Sequence, residues 1–259
     1  MLTDMEPGTK ISVVVPILDE EHNIPPLLER LNAALSVLEE PYEVICVDDG
    51  STDGTLRVLR EKALEHPWLR VIPLGRNVGQ HAAILAGFEA SAGEWILTID
   101  ADLQNPPEEI QRIVEEFRKG HDLVGTYREN RQDSFFRKGA SGTVNFLLRK
   151  FSRIDIRDFG CMLRGYSREV AREISSLGGS RAFIPALGAL VASNPTEIPV
   201  SHARRVEGKS RYSLPRLVGL TFNLFTSISR VLRQKKAQLK MRQVDGSSRQ
   251  GQVEHPTGS

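Results

Sequence analysis

Two short acidic clusters follow apolar, β-branched runs in this chain of 259 residues: Asp48-Asp49-Gly50-Ser51 and Asp100-Ala101-Asp102. Carboxylates are hard oxygen donors, and a Mg²⁺ ion is usually held by one or two of them together with substrate phosphates. An isolated D-x-D is more often a solvated acidic turn. Two such clusters at strand ends of one sheet, however, would repel each other across a shared crevice unless a cation or a ligand's donor groups lay between them. Within the D-x-D, side-chain alternation means either that the chain turns here or that only one carboxylate reaches a given ligand directly.

These clusters have to be positioned by a sheet, and the sequence supplies one. Runs rich in β-branched residues recur at 11–15, 43–47, 70–74, 95–99 and 122–126. Segments of helical period lie between them, such as Ile24, Leu27, Leu28, Leu31, Ala34 and Leu35. The β-α-β-α pattern predicts an α/β fold with a mostly parallel sheet flanked by helices. Such sheets bind ligands at the carboxyl ends of their strands. Residues 16–21, 48–52, 75–79 and 100–104 are the segments that follow those ends.

The 34 basic and 33 acidic residues nearly cancel, which argues against a nucleic-acid partner. Their distribution is uneven. Residues 128–153 carry seven Arg or Lys against two acids, about +5, and residues 204–242 carry eleven against Glu207 alone, about +10. A chain of net charge +1 then leaves about −14 for the rest, so one side is suited to an anionic membrane surface. Two amphipathic helices are predicted within the basic regions, near 134–151 (Phe136, Ala140, Val144, Leu147, Leu148, Phe151) and near 213–232 (Leu214, Leu217, Val218, Thr221, Phe225, Ile228, Leu232). The second contains Arg216, Asn223 and Arg230, too polar for a membrane span of about 20 apolar residues. Residues 1–233 read as one domain and 234–259, rich in Gln, Ser, Gly and Lys, as a disordered tail. Cys46 and Cys161 are far apart in sequence and suggest a reducing, cytosolic setting.

Three motifs in order, V-V-V-P-I-L-D-E-E from Val13, V-D-D-G-S-T-D-G-T from Val47 and D-A-D-L-Q from Asp100, resemble the family 2 glycosyltransferases of GT-A fold. Further segments, G-R-N-V-G-Q-H from Gly75, G-C-M-L-R-G-Y from Gly160 and G-K-S-R-Y-S from Gly208, are similar to the branch that acts on polyprenyl phosphates such as undecaprenyl phosphate. The resemblance covers roughly residues 10–230. It implies an inverting, Mg²⁺- or Mn²⁺-dependent transferase with a nucleotide-sugar donor, probed most simply as UDP-linked, and a lipid-phosphate acceptor. Pro16, Asp19, Glu20 and Asp48 then resemble nucleotide contacts, and Arg76 and Asn77, ahead of the Gly79-Gln80-His81 helix start, contacts to donor hydroxyls or phosphate. Asp102 is placed as the direct metal ligand, Asp100 as a sugar or ribose contact, and Gln104 as completing the metal or donor shell. Arg128 and Arg131 join the catalytic set, with Arg137, Arg204, Lys209, Ser210 and Arg211 around the acceptor phosphate.

An acceptor of this kind needs no dedicated base, because a phosphate monoester with a second pKa near 6 is already ionised. The family's members normally continue into two transmembrane helices that this sequence lacks, so it is expected to be either part of a longer protein or a peripheral variant, placed at the cytoplasmic face of the bacterial inner membrane. Self-association is left open, as is the sugar: formamido-arabinose, plain hexose, hexosamine or uronic derivative. Competing readings are a glucosyl or mannosyl lipid-phosphate transferase, a processive polysaccharide synthase, and a nucleotide-sugar-binding module without catalysis. The synthase would be expected to carry Q-x-x-R-W downstream, and neither Trp68 nor Trp95 stands in that context. His81 reads equally as a backbone-bonded histidine or a donor contact, His202 as structural, and both tryptophans as core or rim.

Overall fold

A computed structural model describes residues 8–128, 157–158, 160–177 and 183–201. The expected helices near 134–151 and 213–232 and the tail 234–259 lie outside the described residues.

Strands β1 (Ile11–Ile17), β2 (Tyr42–Asp48), β3 (Leu69–Pro73), β4 (Trp95–Thr98) and β5 (Leu123–Arg128) fall on the five expected runs to within a few residues. Helices α1 (Ile24–Ser36), α2 (Thr55–Glu65), α3 (Gln80–Ala90) and α4 (Ile110–Arg118) connect them. Two strands were not expected, β6 (Arg164–Ser167) and β7 (Pro195–Val200), with α5 (Arg168–Leu177) and α6 (Ile184–Val191) between them. The seven strands form one sheet in the order β3-β2-β1-β4-β6-β5-β7. All neighbours are parallel except β6, which runs antiparallel to both β4 and β5.

Alternation along β1 divides the core. Val13 and Val15 face one side with α1 and α4, while Val14 faces the other with Ile45, Val47 and helices α3, α5 and α6. Pro16 sits where the β1–β4 ladder, which pairs Ile11 to Val14, has ended, so its missing N–H leaves no gap in that ladder. Trp95 stacks on Phe117 at 5.6 Å and carries Lys10 over its ring at 4.6 Å, a packing role of the kind expected.

Chain reversal occurs between β1 and β4: β2 and β3 extend the sheet to one side of β1, and β4 opens the other. A crevice at the carboxyl ends of β1 and β4 is the ligand position such a switch point creates. Because β6 is antiparallel, the loop before it and the ends of β5 and β7 lie at this same edge.

Helix α3, which begins at that edge, packs unusually close to β1. A Cβ built on Gly87 would lie 2.2 Å from Val14 Cγ1. Gly87→Ala should therefore destabilise the protein by about 1–3 kcal/mol through overpacking. In urea denaturation, adding Val14→Ala should recover part of that loss; strictly additive losses would show that the close contact is not the cause.

Candidate active site

The β1 and β2 exits are stitched together by side chains. Asp19 adopts a left-handed conformation, φ 52°, one that aspartate tolerates better than most residues. Its Oδ1 accepts the Thr52 N–H at 2.8 Å and the Thr52 hydroxyl at 3.3 Å, while its own N–H donates to Ser51 Oγ at 3.0 Å. The Glu20 N–H donates to Thr55 Oγ1 at 2.8 Å, and Glu20 Oε2 accepts from Asn23 Nδ2 at 2.6 Å. Thus the Asp19 carboxylate and the backbone N–H groups of Asp19 and Glu20 tie this loop to 51–55. Pro16 is half-buried beside them. Asp48 is buried, 2% exposed, with Oδ1 accepting the Ser51 N–H at 3.3 Å.

The neighbouring Asp49, to which the sequence assigned no role, is the stronger clasp. It is 3% exposed and accepts the backbone N–H groups of Val78 at 2.7 Å and Gly79 at 2.9 Å. Gly50 completes the contact with φ 74°; a Cβ there would lie 2.4 Å from the carbonyl carbon of Arg76, so no larger residue fits. This pins the loop before α3 against the loop after β2 and leaves Arg76 and Asn77 exposed at the rim. Gln80, the first residue of α3, then donates from Nε2 to Asp100 Oδ1 at 2.6 Å.

The D-x-D turns as it leaves β4. Ala101, Leu103 and Asn105 are buried, whereas Asp100, Asp102 and Gln104 are half-buried, so the three expected site residues share the outward positions. Leu103 holds φ 58°, a strained conformation for a residue of its kind, and the Gln104 N–H donates to Asp102 Oδ1 at 3.2 Å. Among the described residues no group of three or more His, Cys, Asp or Glu is gathered as a metal cage. Asp100 and Asp102, both half-buried, are hard oxygen donors, and one or two carboxylates together with substrate phosphates are a usual ligand set for Mg²⁺.

At the end of β5, Arg128 forms a two-point ion pair with Asp158, Nε to Oδ2 at 2.8 Å and Nη2 to Oδ1 at 3.3 Å. The side chains are only 18% and 6% exposed, so this arginine is fixed in place by a carboxylate 30 residues away that the sequence did not single out. Arg131, Arg137, Arg204, Lys209, Ser210, Arg211 and His202 lie outside the described residues. The chain enters that last stretch from β7 at Ser201, at the crevice edge.

His81 is not bonded to a neighbouring backbone group. Its Nδ1 is buried with no hydrogen-bond partner among the described residues, and its ring meets Phe183 edge-on at 5.3 Å. Burial pushes its pKa down from 6.5 to about 4, which keeps the ring neutral.

Comparison with known proteins bears on this arrangement. The description "Glycosyl transferase family 2" matches residues 12–175. The undecaprenyl-phosphate 4-deoxy-4-formamido-L-arabinose transferase of Serratia proteamaculans is 45% identical over 230 residues, 88% of this chain and 70% of that one. Its counterpart in Aeromonas hydrophila is 46% identical over 220 residues, 85% of this chain and 68% of that one. Among solved structures, glucosyl-3-phosphoglycerate synthase from Mycobacterium tuberculosis in complex with Mn²⁺ and UDP-glucose superposes with a TM-score of 0.61 at 21% identity, covering 86% of this chain and 79% of that one. This last likeness establishes the shared fold.

Neutral His81 carries a pH prediction. Above pH 6.5 the ring is neutral in folded and unfolded chains alike; as pH falls towards about 4, the unfolded chain takes up the proton first and the folded state loses stability. Between pH 7 and pH 4.5 that loss amounts to roughly 2–3 kcal/mol. His81→Gln should show a correspondingly smaller loss over the same interval in guanidinium denaturation. Equal losses in both proteins would show that the folded ring titrates normally.

Proposed function

Because the chain belongs to glycosyl transferase family 2, we propose that it transfers 4-deoxy-4-formamido-L-arabinose from a UDP-linked donor to the phosphate of undecaprenyl phosphate. The observation that carries this reading is the 45% identity over 230 residues to a transferase of that name, which extends well past residues 12–175.

The donor occupies the crevice between the ends of β1 and β4. Asp19, Glu20, Asp48 and Pro16 line its nucleotide end, and the exposed Arg76 and Asn77 reach its hydroxyls or phosphates. Asp102 would hold the divalent cation, with Gln104 beside it, and Asp100 would orient the sugar or ribose. A cation held there supplies neutralisation of the charge that develops on the leaving diphosphate. Gln80, through its 2.6 Å bond, fixes the Asp100 carboxylate for its contact.

The acceptor phosphate approaches on the β5 side, where Arg128 is held ready by Asp158; Arg131, Arg137, Arg204, Lys209, Ser210 and Arg211, outside the described residues, are the further groups proposed to bind it. Being ionised already, it attacks the anomeric carbon in line and inverts it without surrendering a proton to the protein. Rate enhancement then rests on positioning and on fixed charge rather than on a general base.

No helix among the described residues is long and apolar enough to cross a membrane. In this reading the segments 134–151 and 213–232 lie in the membrane interface with their basic residues on anionic headgroups, at the cytoplasmic face, and deliver the lipid phosphate.

Asp102→Asn should retain the wild-type melting temperature and lose turnover on undecaprenyl phosphate by about 10²-fold or more. The Mn²⁺-dependent thermal shift produced by UDP should vanish with it. Turnover at the wild-type rate would remove Asp102 from the metal site.

A further inference from the structure

Arg164, at the start of β6, is fully buried, and a buried guanidinium must be matched by acceptors or it destabilises the fold. It is matched by the loop that precedes it. Nε donates to the Cys161 carbonyl at 2.9 Å and Nη2 donates to the Asp158 carbonyl. The Asp158 carboxylate in turn grips Arg128 and accepts the Gly160 N–H at 2.9 Å. From β5, Thr126 Oγ1 donates to the Leu163 carbonyl at 2.6 Å, securing the other end of the same loop.

Across the sheet, Gly125 is the register partner of Glu197 on β7. A Cβ at Gly125 would lie 2.9 Å from Glu197 Cγ and 3.2 Å from both Glu197 Oε1 and Arg164 Nη1. The missing side chain thus opens a gap into which the guanidinium and the carboxylate project from opposite sides. Neither Arg164 Nη1 nor Glu197 Oε1 has a hydrogen-bond partner among the described residues. Glu197 also accepts the Arg157 N–H at 2.9 Å, so it braces the far end of the 157–163 loop.

We propose that Arg164 is a positioning residue for acceptor recognition: by gripping the backbone carbonyls of Asp158 and Cys161, it sets the Asp158 carboxylate and through it the Arg128 guanidinium. The inference rests on the reading of Arg128 as an acceptor-phosphate contact. Lysine in place of Arg164 keeps the buried charge but donates from a single nitrogen, so it cannot reproduce the fixed geometry of the paired Nε and Nη2 bonds. The donor half of the site, built from β1, β2 and α3, makes no contact with this guanidinium in the bonds described and should not register the change.

The test is steady-state kinetics with undecaprenyl phosphate in detergent at saturating donor, alongside calorimetric UDP affinity, for Arg164→Lys, Arg128→Lys and the double variant. Arg164→Lys should raise the acceptor KM about tenfold or more, since small misplacements of a binding group carry penalties of that order. Its UDP affinity should stay within about twofold, well under 1 kcal/mol. The double variant should be no worse in acceptor KM than Arg128→Lys alone, because the two act through one group. Gly87→Ala, destabilised elsewhere, serves as the control and should leave the acceptor KM unchanged; a rise there equal to that of Arg164→Lys would reduce the effect to stability and overturn the proposal. An acceptor KM untouched by Arg128→Lys overturns the acceptor reading and this inference with it. If Arg128→Lys raises the KM while Arg164→Lys does not, or lowers UDP affinity in proportion, or adds in full to Arg128→Lys, the positioning role alone fails. Should Arg164→Lys not fold, Gly125→Ala, which pushes on Nη1, must give the same split between acceptor KM and UDP affinity, and its absence overturns the proposal.

Discussion

A carboxylate taken out of water costs several kcal/mol unless donors replace the hydration it loses. Asp49 finds those donors in the N–H groups of Val78 and Gly79, which lie at the entrance to α3. This contact ties the β2 exit to the β3 exit and sets where α3 begins. Gly50 permits it, since the Arg76 backbone occupies the space a Cβ would need. With α3 fixed, Gln80 reaches Asp100 and the β4 exit is drawn into the same assembly. Asp19, bonded to Thr52, adds the β1 exit. Four strand ends that the sheet only brings near one another thereby become a single rigid rim, which is what a site working by positioning demands.

The two halves of the crevice are built by different means. On the side proposed for the donor, parallel strands end in loops joined by carboxylates that accept backbone N–H groups. On the side proposed for the acceptor, an antiparallel strand is inserted between β4 and β5, and its incoming loop is held by a buried arginine that donates to backbone carbonyls. Opposite charges thus do the structural holding on opposite sides. The proposed roles follow the same division, outward carboxylates for a cation and sugar hydroxyls and a guanidinium for a phosphate. Burial also raises the Glu197 pKa, while the Arg157 N–H and the charges of Arg164 and Arg157 act in the other direction.

Of the five strands expected from sequence, β1, β2 and β4 are buried almost throughout, where hydrophobicity alone is diagnostic, while the half-buried edge strand β3 and the start of β5 still show apolar, β-branched runs. The two that escaped notice have local reasons. β6 has four residues including Arg164 and Gly165, and it is specified by its neighbours' ladders rather than by its own composition. β7 contains Pro195 and Pro199, which read as turns, and it survives because it is an edge strand. The D-x-D was legible because its chemistry and its place after an apolar strand coincide. Which of two adjacent carboxylates clasps a loop was not: Asp48 and Asp49 differ in role only through the pleat of β2 and the path of residues 74–79. The pairing of Arg128 with Asp158 was equally hidden, since it depends on a reversal of the chain through an antiparallel strand that no periodicity announced.

The loop carrying the D-x-D shows how the fold converts burial into exposure. Past β4 there is no partner strand to enforce alternation, yet residues 100–105 keep it, with Ala101, Leu103 and Asn105 buried between the outward Asp100, Asp102 and Gln104. Leu103 reaches the core only by adopting φ 58°, a conformation that costs about 1–3 kcal/mol for a residue with a Cβ. Burying a leucine side chain contributes about 1.5–3 kcal/mol, so the strain and the gain nearly balance. Little net stability comes from the arrangement. What it secures is direction: with Leu103 pegged below, Asp102 and Gln104 cannot turn inward, and the Cys161 thiol donating to Asn105 Oδ1 at 3.5 Å fastens the loop's far end to the segment that carries Asp158. The edge that carries the D-x-D and the edge that carries Arg128, for which metal and acceptor binding are proposed, are therefore joined by a contact within the protein, and their spacing is set by the fold itself.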